Sequence, residues 1–341
     1  MMKYLLLFLF AILTFHGNSQ NSGKSQLIQY PSTLIYGNAD EYSAFTDLIY
    51  FRNHFYCSFR VGSSHVGGED GKIRILRSKD GTNWETFAYL QKEGIDLRDP
   101  KLSITPEGRI MVIIGGSVYD GKTLLDKQPH VSFSNKKGKN FSDPVPVHVT
   151  YNTGEMKSWI WRVLWKDGIG YGMDYQSHKK DQWDLYLTKT NDGKSFEKVS
   201  KLEVDGLPNE ATIRFSNDNE MYVLIRREGK DRMGLIGKSH APYTNWNYTK
   251  LNFQLGGPNF LFLTDSKLVI GTRNYVGDRK TYLYVTDLNG KVEKTIELPS
   301  GGDTSYPGLL IHDDLLWVSY YSSHEGNSRI YLSKIPMKDL L

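Results

Sequence analysis

Short, mostly apolar runs recur along the chain in pairs, and a few polar residues separate the two runs of each pair. The first pair runs from Phe45 to Phe59, where aromatic and β-branched residues flank Arg52-Asn53. Two such runs joined through Asn, Asp or Gly predict two antiparallel strands connected by a tight turn. Six predicted hairpins follow one another, with turn centres at residues 53, 107, 167, 218, 265 and 313. We therefore predict an all-β protein built from repeated hairpins.

The hairpins have a common period. Their turn centres are separated by 54, 60, 51, 47 and 48 residues, which is the length of a four-stranded blade in a β-propeller. Spread over residues 20–341, six blades would contain about 53 residues each. The sequence therefore predicts a six-bladed β-propeller that forms a single domain over 20–341, with five blades as the alternative.

A second repeat lies between the hairpins. Its copies combine a hydroxyl residue, an acid or amide, a Gly and a terminal aromatic residue, a composition typical of tight turns closed by short polar side chains. The copies are Ser78 to Trp84, Ser134 to Phe141, Thr190 to Phe196 and a less regular one from Ser239 to Trp246. The first three begin at residues 78, 134 and 190, in two steps of 56. We call these segments the repeated turns.

The first 19 residues are interpreted as a secretory signal. Lys3 precedes 12 apolar residues, Tyr4 to Phe15, and small residues follow at Gly17 and Ser19. Twelve residues are too few for a membrane span, which needs about 20. No Cys follows the apolar stretch, so a lipid anchor is not expected. We predict a secreted or periplasmic protein with no membrane span.

Composition narrows the classes of function. The 42 Lys and Arg residues nearly balance the 38 Asp and Glu residues, and the net charge of +4 does not suggest a nucleic-acid-binding protein. The single cysteine, Cys57, excludes an intrachain disulfide, and the nine His residues show no ligand spacing. No metal or cofactor is expected, and we expect a monomer.

Three arginines occupy equivalent positions in the predicted hairpins. Each lies five residues beyond the start of its second strand, and the same register in the last hairpin holds Tyr320; the three are Arg60, Arg226 and Arg273. Converging guanidinium groups suit an anion, above all a carboxylate. The alternative is three unrelated arginines that pair with local acids.

Polar and aromatic residues also recur where the first strands begin. They are Asp47, Asp99, Trp161, Glu210, Asn259 and Tyr306. Buried carboxylates are costly unless they are paired or functional. Because these residues share one topological level, they are candidates for a site around the axis.

Several of these segments resemble bacterial exo-α-sialidases over most of the chain. The segment from Phe59 to His65, continued into a repeated turn, follows the order of that family. Asn209-Glu210 and Ser305-Tyr306 resemble the segments that carry its glutamate and its nucleophilic tyrosine. The repeated turns resemble the family's Asp-box, shortened by one residue in the first and third copies. In the family this box is structural and lies away from the active site.

The resemblance implies a retaining hydrolase that releases a terminal acidic sugar, such as sialic acid, from a glycan. Tyr306 would be the nucleophile and Glu210 its base. Asp70, on the loop after Arg60 that also holds His65, would be the acid. Arg60, Arg226 and Arg273 would bind the substrate carboxylate. The family's Arg-Ile-Pro element is missing, because the first strand reads Phe45-Thr46-Asp47, and Arg98 beside Asp99 would substitute for its arginine.

Two other functions fit parts of the pattern. Asp47, Asp99 and Glu210 supply one carboxylate from each of blades one, two and four, which resembles furanosidase propellers. A propeller that binds glycans without hydrolysing them would use the same abundance of Tyr and Trp, since a fold alone does not determine function.

Overall fold

The computed structural model describes residues 28–151 and 157–341, so the predicted signal at 1–19 lies outside the described residues. The strands form six small sheets, of four or five strands each. Six sheets of this size confirm the six-bladed propeller and exclude the five-bladed alternative. Within the described ranges, no helix has the length and apolar character needed to cross a membrane.

The first two strands lie outside the blade that follows them in sequence. They are β1 (Ile28–Gln29) and β2 (Ser32–Tyr36). The strands of blades one and two are β3 (Tyr42–Phe51), β4 (His54–Gly62), β5 (Lys72–Ser78), β6 (Glu85–Leu90), β7 (Asp96–Ile104), β8 (Ile110–Asp120), β9 (Thr123–Phe133) and β10 (Val145–Pro146).

The remaining blades continue in sequence order. Blades three and four contain β11 (His148–Val149), β12 (Lys157–Lys166), β13 (Ile169–Lys179), β14 (Gln182–Thr190), β15 (Ser195–Leu202), β16 (Pro208–Phe215), β17 (Met221–Arg227), β18 (Met233–Ser239) and β19 (Asn247–Gln254). Blades five and six contain β20 (Asn259–Thr264), β21 (Lys267–Asn274), β22 (Lys280–Asp287), β23 (Val292–Glu297), β24 (Thr304–His312), β25 (Leu315–Ser322) and β26 (Arg329–Pro336), and the chain ends in a short helix, α1 (Met337–Leu340).

The last blade is completed by a strand from the other end of the chain. Its order is β2-β26-β25-β24, and β2 pairs antiparallel with β26 through Ser32 and Ser333. Strand β1 adds to the outer edge of blade five, in parallel with β23. The N-terminal segment therefore joins the ring into a closed structure.

The predicted hairpins form the two innermost strands of each blade. The turn of blade one, for example, places Arg52 and Asn53 at φ values of 49° and 59°. Asp167, Asn219 and Asp313 take the same left-handed conformation in their own turns. Asn and Asp tolerate this conformation better than other side chains, which explains why these residues marked the turns in the sequence.

The hydrophobic core is a ring of six clusters, one between each pair of neighbouring blades. Strand β8 shows how one strand contributes side chains to two of these clusters. Val112 and Ile114 pack toward blade one, while Met111 and Ile113 pack toward blade three. Because successive side chains on a strand point to opposite faces, each blade is buried on both sides.

Five of the six innermost strands contain a β-bulge near their first residues. Each bulge sets two residues against one on the neighbouring strand, at residues 45–46, 99–100, 161–162, 209–210 and 306–307. We call these ten residues the bulge ring. Bulges re-aim side chains, and they occur next to active sites. Three ring residues, Phe45, Asp99 and Tyr306, have positive φ values of 65°, 49° and 54°.

Candidate active site

Tyr306 and Glu210 meet within the bulge ring. The Tyr306 hydroxyl donates a hydrogen bond to Glu210 Oε1. Glu210 Oε2 accepts from Arg226 Nη1 and from the backbone N–H of Gly257, each at 2.8 Å. Arg226 Nη1 is also 3.4 Å from the Tyr306 hydroxyl. Blades four, five and six thus hold a phenol and a carboxylate in direct contact.

The surroundings determine which of the two groups carries the proton. Burial by itself raises the pKa of Glu210, but Arg226 and the hydrogen bonds from Tyr306 and Gly257 hold it below the usual value. Burial and the Glu210 charge together raise the pKa of Tyr306 well above that of a free phenol. Glu210 is therefore an ionised acceptor beside a neutral hydroxyl, the arrangement that a general base needs.

Aromatic rings and a glycine fix the position of the Tyr306 ring. Its centroid lies 4.9 Å from that of Phe45 and 5.6 Å from that of Trp161. Gly257 has a φ of 61°, and a Cβ atom at this position would lie 2.4 Å from the Tyr306 ring. Only glycine fits there, because it both adopts the left-handed conformation and leaves room for the ring.

A buried lysine lies next to the same ring. Lys101 Nζ is 4.7 Å from the Trp161 centroid and 5.5 Å from that of Tyr306, and it donates to the Thr46 carbonyl at 3.2 Å. Burial lowers the pKa of Lys101 to about 8. The ammonium group therefore places a positive charge beside the phenol at neutral pH.

The carboxyl group of Asp99, in the bulge ring, has one oxygen without a hydrogen-bond partner. Its Oδ1 atom is buried and has no hydrogen-bond partner among the described residues. Burial raises the pKa of Asp99, and the Glu210 charge adds to this, although Lys101 and Arg98 act in the opposite direction. Asp99 also raises the pKa of Tyr306, so the two groups lie within electrostatic reach. Burial therefore favours the protonated form of Asp99 more than water favours that of a free carboxyl group.

A second carboxylate lies at the edge of the site. Asp303 Oδ1 accepts from Arg273 Nη2 at 3.2 Å and from the Tyr321 hydroxyl at 2.8 Å. Its Oδ2 atom is hydrogen bonded to the Tyr42 hydroxyl and lies 2.7 Å from His65 Nδ1. We call these five residues the Asp303 cluster. Tyr321 joins it to the nucleophile candidate, since its ring centroid is 5.9 Å from that of Tyr306.

The structure brings two of the three predicted arginines toward Tyr306. Arg226 contacts it directly, and Arg273 acts on its pKa from the Asp303 cluster. Arg60 is 1% exposed and donates instead to Asp96 Oδ1 and to the Ser64 carbonyl, both at 2.8 Å. Those two bonds anchor the loop that follows strand β4.

Arg98 and His65 meet beside the bulge ring. Arg98 donates to the Tyr119 hydroxyl at 2.7 Å and to the His65 carbonyl at 3.0 Å, and its guanidinium carbon is 5.2 Å from the Phe45 centroid. The His65 ring packs edge-on against the same Phe45 ring, with the two centroids 5.2 Å apart.

Three other predicted site residues lie elsewhere. Both carboxylate oxygens of Asp47 accept from Arg162 Nη1, at 2.9 and 2.7 Å, and Asp47 is 1% exposed. Tyr320 is fully buried, and its hydroxyl bonds to Ser32 Oγ and to the Pro299 carbonyl. Asp70 is exposed and lines a surface hollow with other acidic side chains.

Sequence reasoning missed Phe45, Lys101, Asp303 and Tyr321. Phe45 matches Asp99 and Tyr306 in its position within the bulge, whereas Asp47 lies two residues further on, and nothing in the sequence marks where the bulges fall. Tyr321 follows Tyr320 directly and points to the opposite face of the strand. No sequence signal marked Asp303.

The fold is similar to those of several solved structures. A protein of unknown function from Dyadobacter fermentans DSM 18053 aligns with a TM-score of 0.78 and 18% identity, over 89% of this chain and 97% of its own. Trypanosoma rangeli sialidase in complex with the inhibitor DANA aligns with a TM-score of 0.70 and 10% identity, over 88% of this chain and 56% of its own. NanB sialidase from Streptococcus pneumoniae aligns with a TM-score of 0.72 and 10% identity, over 91% and 71%.

These comparisons show a sialidase-like propeller fold. The chain corresponds to little more than half of the Trypanosoma rangeli sialidase. Neither a protein-family model nor a curated protein sequence matches the chain.

Proposed function

We propose that the protein is a glycoside hydrolase in which Tyr306 is the nucleophile and Glu210 is its base. The hydrogen bond from the Tyr306 hydroxyl to an ionised Glu210 is the observation that carries this proposal. A phenol is a weak nucleophile unless a neighbouring base takes its proton. The sialidase-like fold adds support, because sialidases use a tyrosine in place of the second carboxylate.

The proposed reaction has two displacements. In the first, Tyr306 Oη attacks the anomeric carbon while its proton moves to Glu210 and the bond to the leaving oxygen breaks. In the second, water attacks the same carbon, the bond to Tyr306 breaks, and Glu210 returns the proton to the phenol oxygen. Two inversions give net retention of the anomeric configuration.

The leaving oxygen needs a proton, and we assign its donor to Asp99. A general acid must be protonated near the working pH, and burial raises the pKa of Asp99 in that direction. Its buried Oδ1 atom has no hydrogen-bond partner among the described residues, so no other group of the protein engages this oxygen. The same carboxylate would then take a proton from the attacking water. Asp70, the acid expected from the family resemblance, is exposed in the hollow described above and has no contact with Tyr306 that supports this role.

The two alternative functions have less support. The furanosidase-like scheme needs Asp47, whose carboxylate oxygens are bound by Arg162 and by the Leu102 N–H. A propeller that only binds glycans does not require the contact between Tyr306 and Glu210. It is an outcome of the experiment below.

The test is hydrolysis of a panel of aryl glycosides that includes sialosides, uronides and neutral sugars. We expect Tyr306→Phe to lower kcat/KM by about 10³-fold or more, since the variant lacks the attacking oxygen. Tyr320→Phe is the matched control, because it removes a buried hydroxyl outside the site, and it should retain activity. Proton NMR of the first product should show retained configuration. Full activity in Tyr306→Phe, or no turnover of any substrate by the natural protein, would overturn the proposal.

A further inference from the structure

The arginines that the family resemblance assigns to a substrate carboxylate already face carboxylates of the protein. Arg226 pairs with Glu210 at 2.8 Å and with Glu228 through its other terminal nitrogen. Arg273 pairs with Asp303 at 3.2 Å. A substrate carboxylate entering here would have to displace these groups, or lie beside them against like-charge repulsion.

Four side chains hold the carboxylate of Asp303 in place. Burial alone raises the pKa of Asp303, but His65, Tyr42 and Arg273 lower it far below its ordinary value. The backbone N–H of Asp303 is itself fixed by a 2.8 Å bond to Ser323 Oγ. A carboxylate with four side-chain partners and a fixed backbone is not easily displaced.

Four buried side-chain atoms of the bulge ring have no hydrogen-bond partner among the described residues. Two of these atoms are neutral, the donor Trp161 Nε1 and the acceptor Asn209 Oδ1. The other two are Arg162 Nε, whose guanidinium is already paired with Asp47 through Nη1, and Asp99 Oδ1, which belongs to the carboxyl group with a raised pKa. Buried polar atoms usually have partners, so groups left open mark positions that a ligand can satisfy. Hydroxyl groups, which both donate and accept, match such a set.

We infer that Asp303 takes the place of the substrate carboxylate and that the site accepts a neutral sugar. This inference rests on the proposed function, and it differs from the acidic sugar that the family resemblance predicts. It also explains why a neutral phenol serves as nucleophile without an acidic substrate. Asp303, Glu228 and Glu210 already supply negative charge near Tyr306, and an added carboxylate nucleophile would be repelled by them.

The first experiment compares sugars that differ only in a carboxylate. Aryl glucosides are paired with aryl glucuronides, and aryl galactosides with aryl galacturonides, in both anomers, with an aryl sialoside beside them. We expect kcat/KM for the best neutral substrate to exceed that for its uronide partner by about 100-fold, because the carboxylates that already pair with Arg226 and Arg273 disfavour a second anion. A uronide or sialoside hydrolysed faster than every neutral sugar would overturn the inference and leave the proposed hydrolase intact.

The second experiment measures binding and needs no turnover. N-acetylneuraminic acid and glucuronate are titrated into the natural protein and into Asp303→Asn, which frees Arg273. We expect the variant to bind each acid at least about tenfold more tightly than the natural protein. Asp303→Ser serves the same purpose if the amide variant does not fold. Asp313→Asn, in the exposed hairpin turn of blade six, is the matched control and should change nothing.

The two experiments separate failure of the function from failure of the inference. If no glycoside is hydrolysed, the proposed function is wrong and the binding gain in Asp303→Asn alone decides the role of Asp303. If Asp303→Asn gains no affinity for either acid, Asp303 does not occupy a carboxylate position and the inference is wrong.

Discussion

The repeated turns and the bulge ring both contain aspartates, but the two regions treat the carboxylate in opposite ways. In the turns, Asp80 Oδ1 accepts from the N–H groups of Thr82 and Asn83, at 2.8 and 2.9 Å. Asp192 Oδ1 accepts from the N–H groups two and three residues further along, at 2.7 and 2.9 Å. In the bulge ring, Asp99 keeps a buried oxygen without a partner.

The pKa shifts reflect this difference. Backbone hydrogen bonds lower the pKa of Asp80. They lower that of Asp192 as well, against a contribution from burial. Burial raises the pKa of Asp99. A carboxylate fully bound by its own loop stabilises that loop, whereas a carboxyl group left open in a buried ring is available for chemistry. The turns also lie at the opposite end of the blades from the ring, as the pairing of Ser78 with Phe55 shows.

Among the aspartates, the largest effect is expected from substituting Asp99, the proposed acid. Asp99→Asn should lower kcat by about 100-fold for glycosides with poor leaving groups and much less for dinitrophenyl glycosides, which need no proton. Because the acid acts in its protonated form, activity of the natural protein should fall as pH rises through the pKa of Asp99, and the variant should lose this dependence. Steady-state kinetics across pH measure both effects.

Asp167→Asn, in the hairpin turn of blade three, is the control for the Asp99 variant. Unchanged activity of Asp99→Asn toward every leaving group would show that the open carboxyl group is not the acid.

An intermediate effect, on stability alone, is expected in the turns. Asp192→Ala should lower the Tm by about 2 °C at pH 7, a small loss because the side chain is exposed. The folded state lowers the pKa of Asp192, so its contribution is present above the unfolded pKa of about 3.9 and is lost as pH falls through the folded value. The difference in Tm should therefore shrink on acidification, and kcat should not change. A reduced kcat in Asp192→Ala would contradict the assignment of a purely structural role to the repeated turns.

The smallest effect is expected at Asp70. Asp70→Asn should change kcat/KM by less than about twofold, because the side chain is exposed outside the bulge ring. The same kinetic assay decides between the two candidate acids. If Asp70→Asn lowers kcat/KM by about 100-fold and Asp99→Asn does not change it, the general acid is Asp70, on the loop after Arg60.

Most of the fold could be predicted because its signals are local. The apolar run at the start of β8 and the left-handed residues Asn53 and Asp167 determine strands and turns over a few positions each. The bulges have no such signal, since they depend on how the innermost strands pack around the axis. For this reason the sequence predicts Asp47 at the level of Tyr306, whereas the structure has Phe45 at the equivalent position.

The candidate site could be predicted only in part. The structure places Tyr306 and Glu210 in contact, as the family resemblance suggested, and their catalytic roles stay predictions. The prediction chose Tyr320, whereas its neighbour Tyr321 lies next to Tyr306. A shift of one residue along a strand moves the side chain to the other face, so an error of one position in the register accounts for this difference. Arg60 illustrates another limit. Its partner Asp96 comes from the neighbouring blade, and sequence spacing does not show which blades exchange an ion pair.

The pairing of β2 with β26 has a consequence for when the site can form. Ser32 Oγ and Ser333 Oγ are 2.6 Å apart although 301 residues separate them, so this contact waits for nearly the whole chain. Contacts between such distant residues form late in folding, because closing a long loop costs entropy before any contact compensates. Blade six also holds Tyr306, whose ring packs against Phe45 of blade one. The aromatic surroundings of the candidate nucleophile are therefore complete only when blade six has been synthesised and has met blade one.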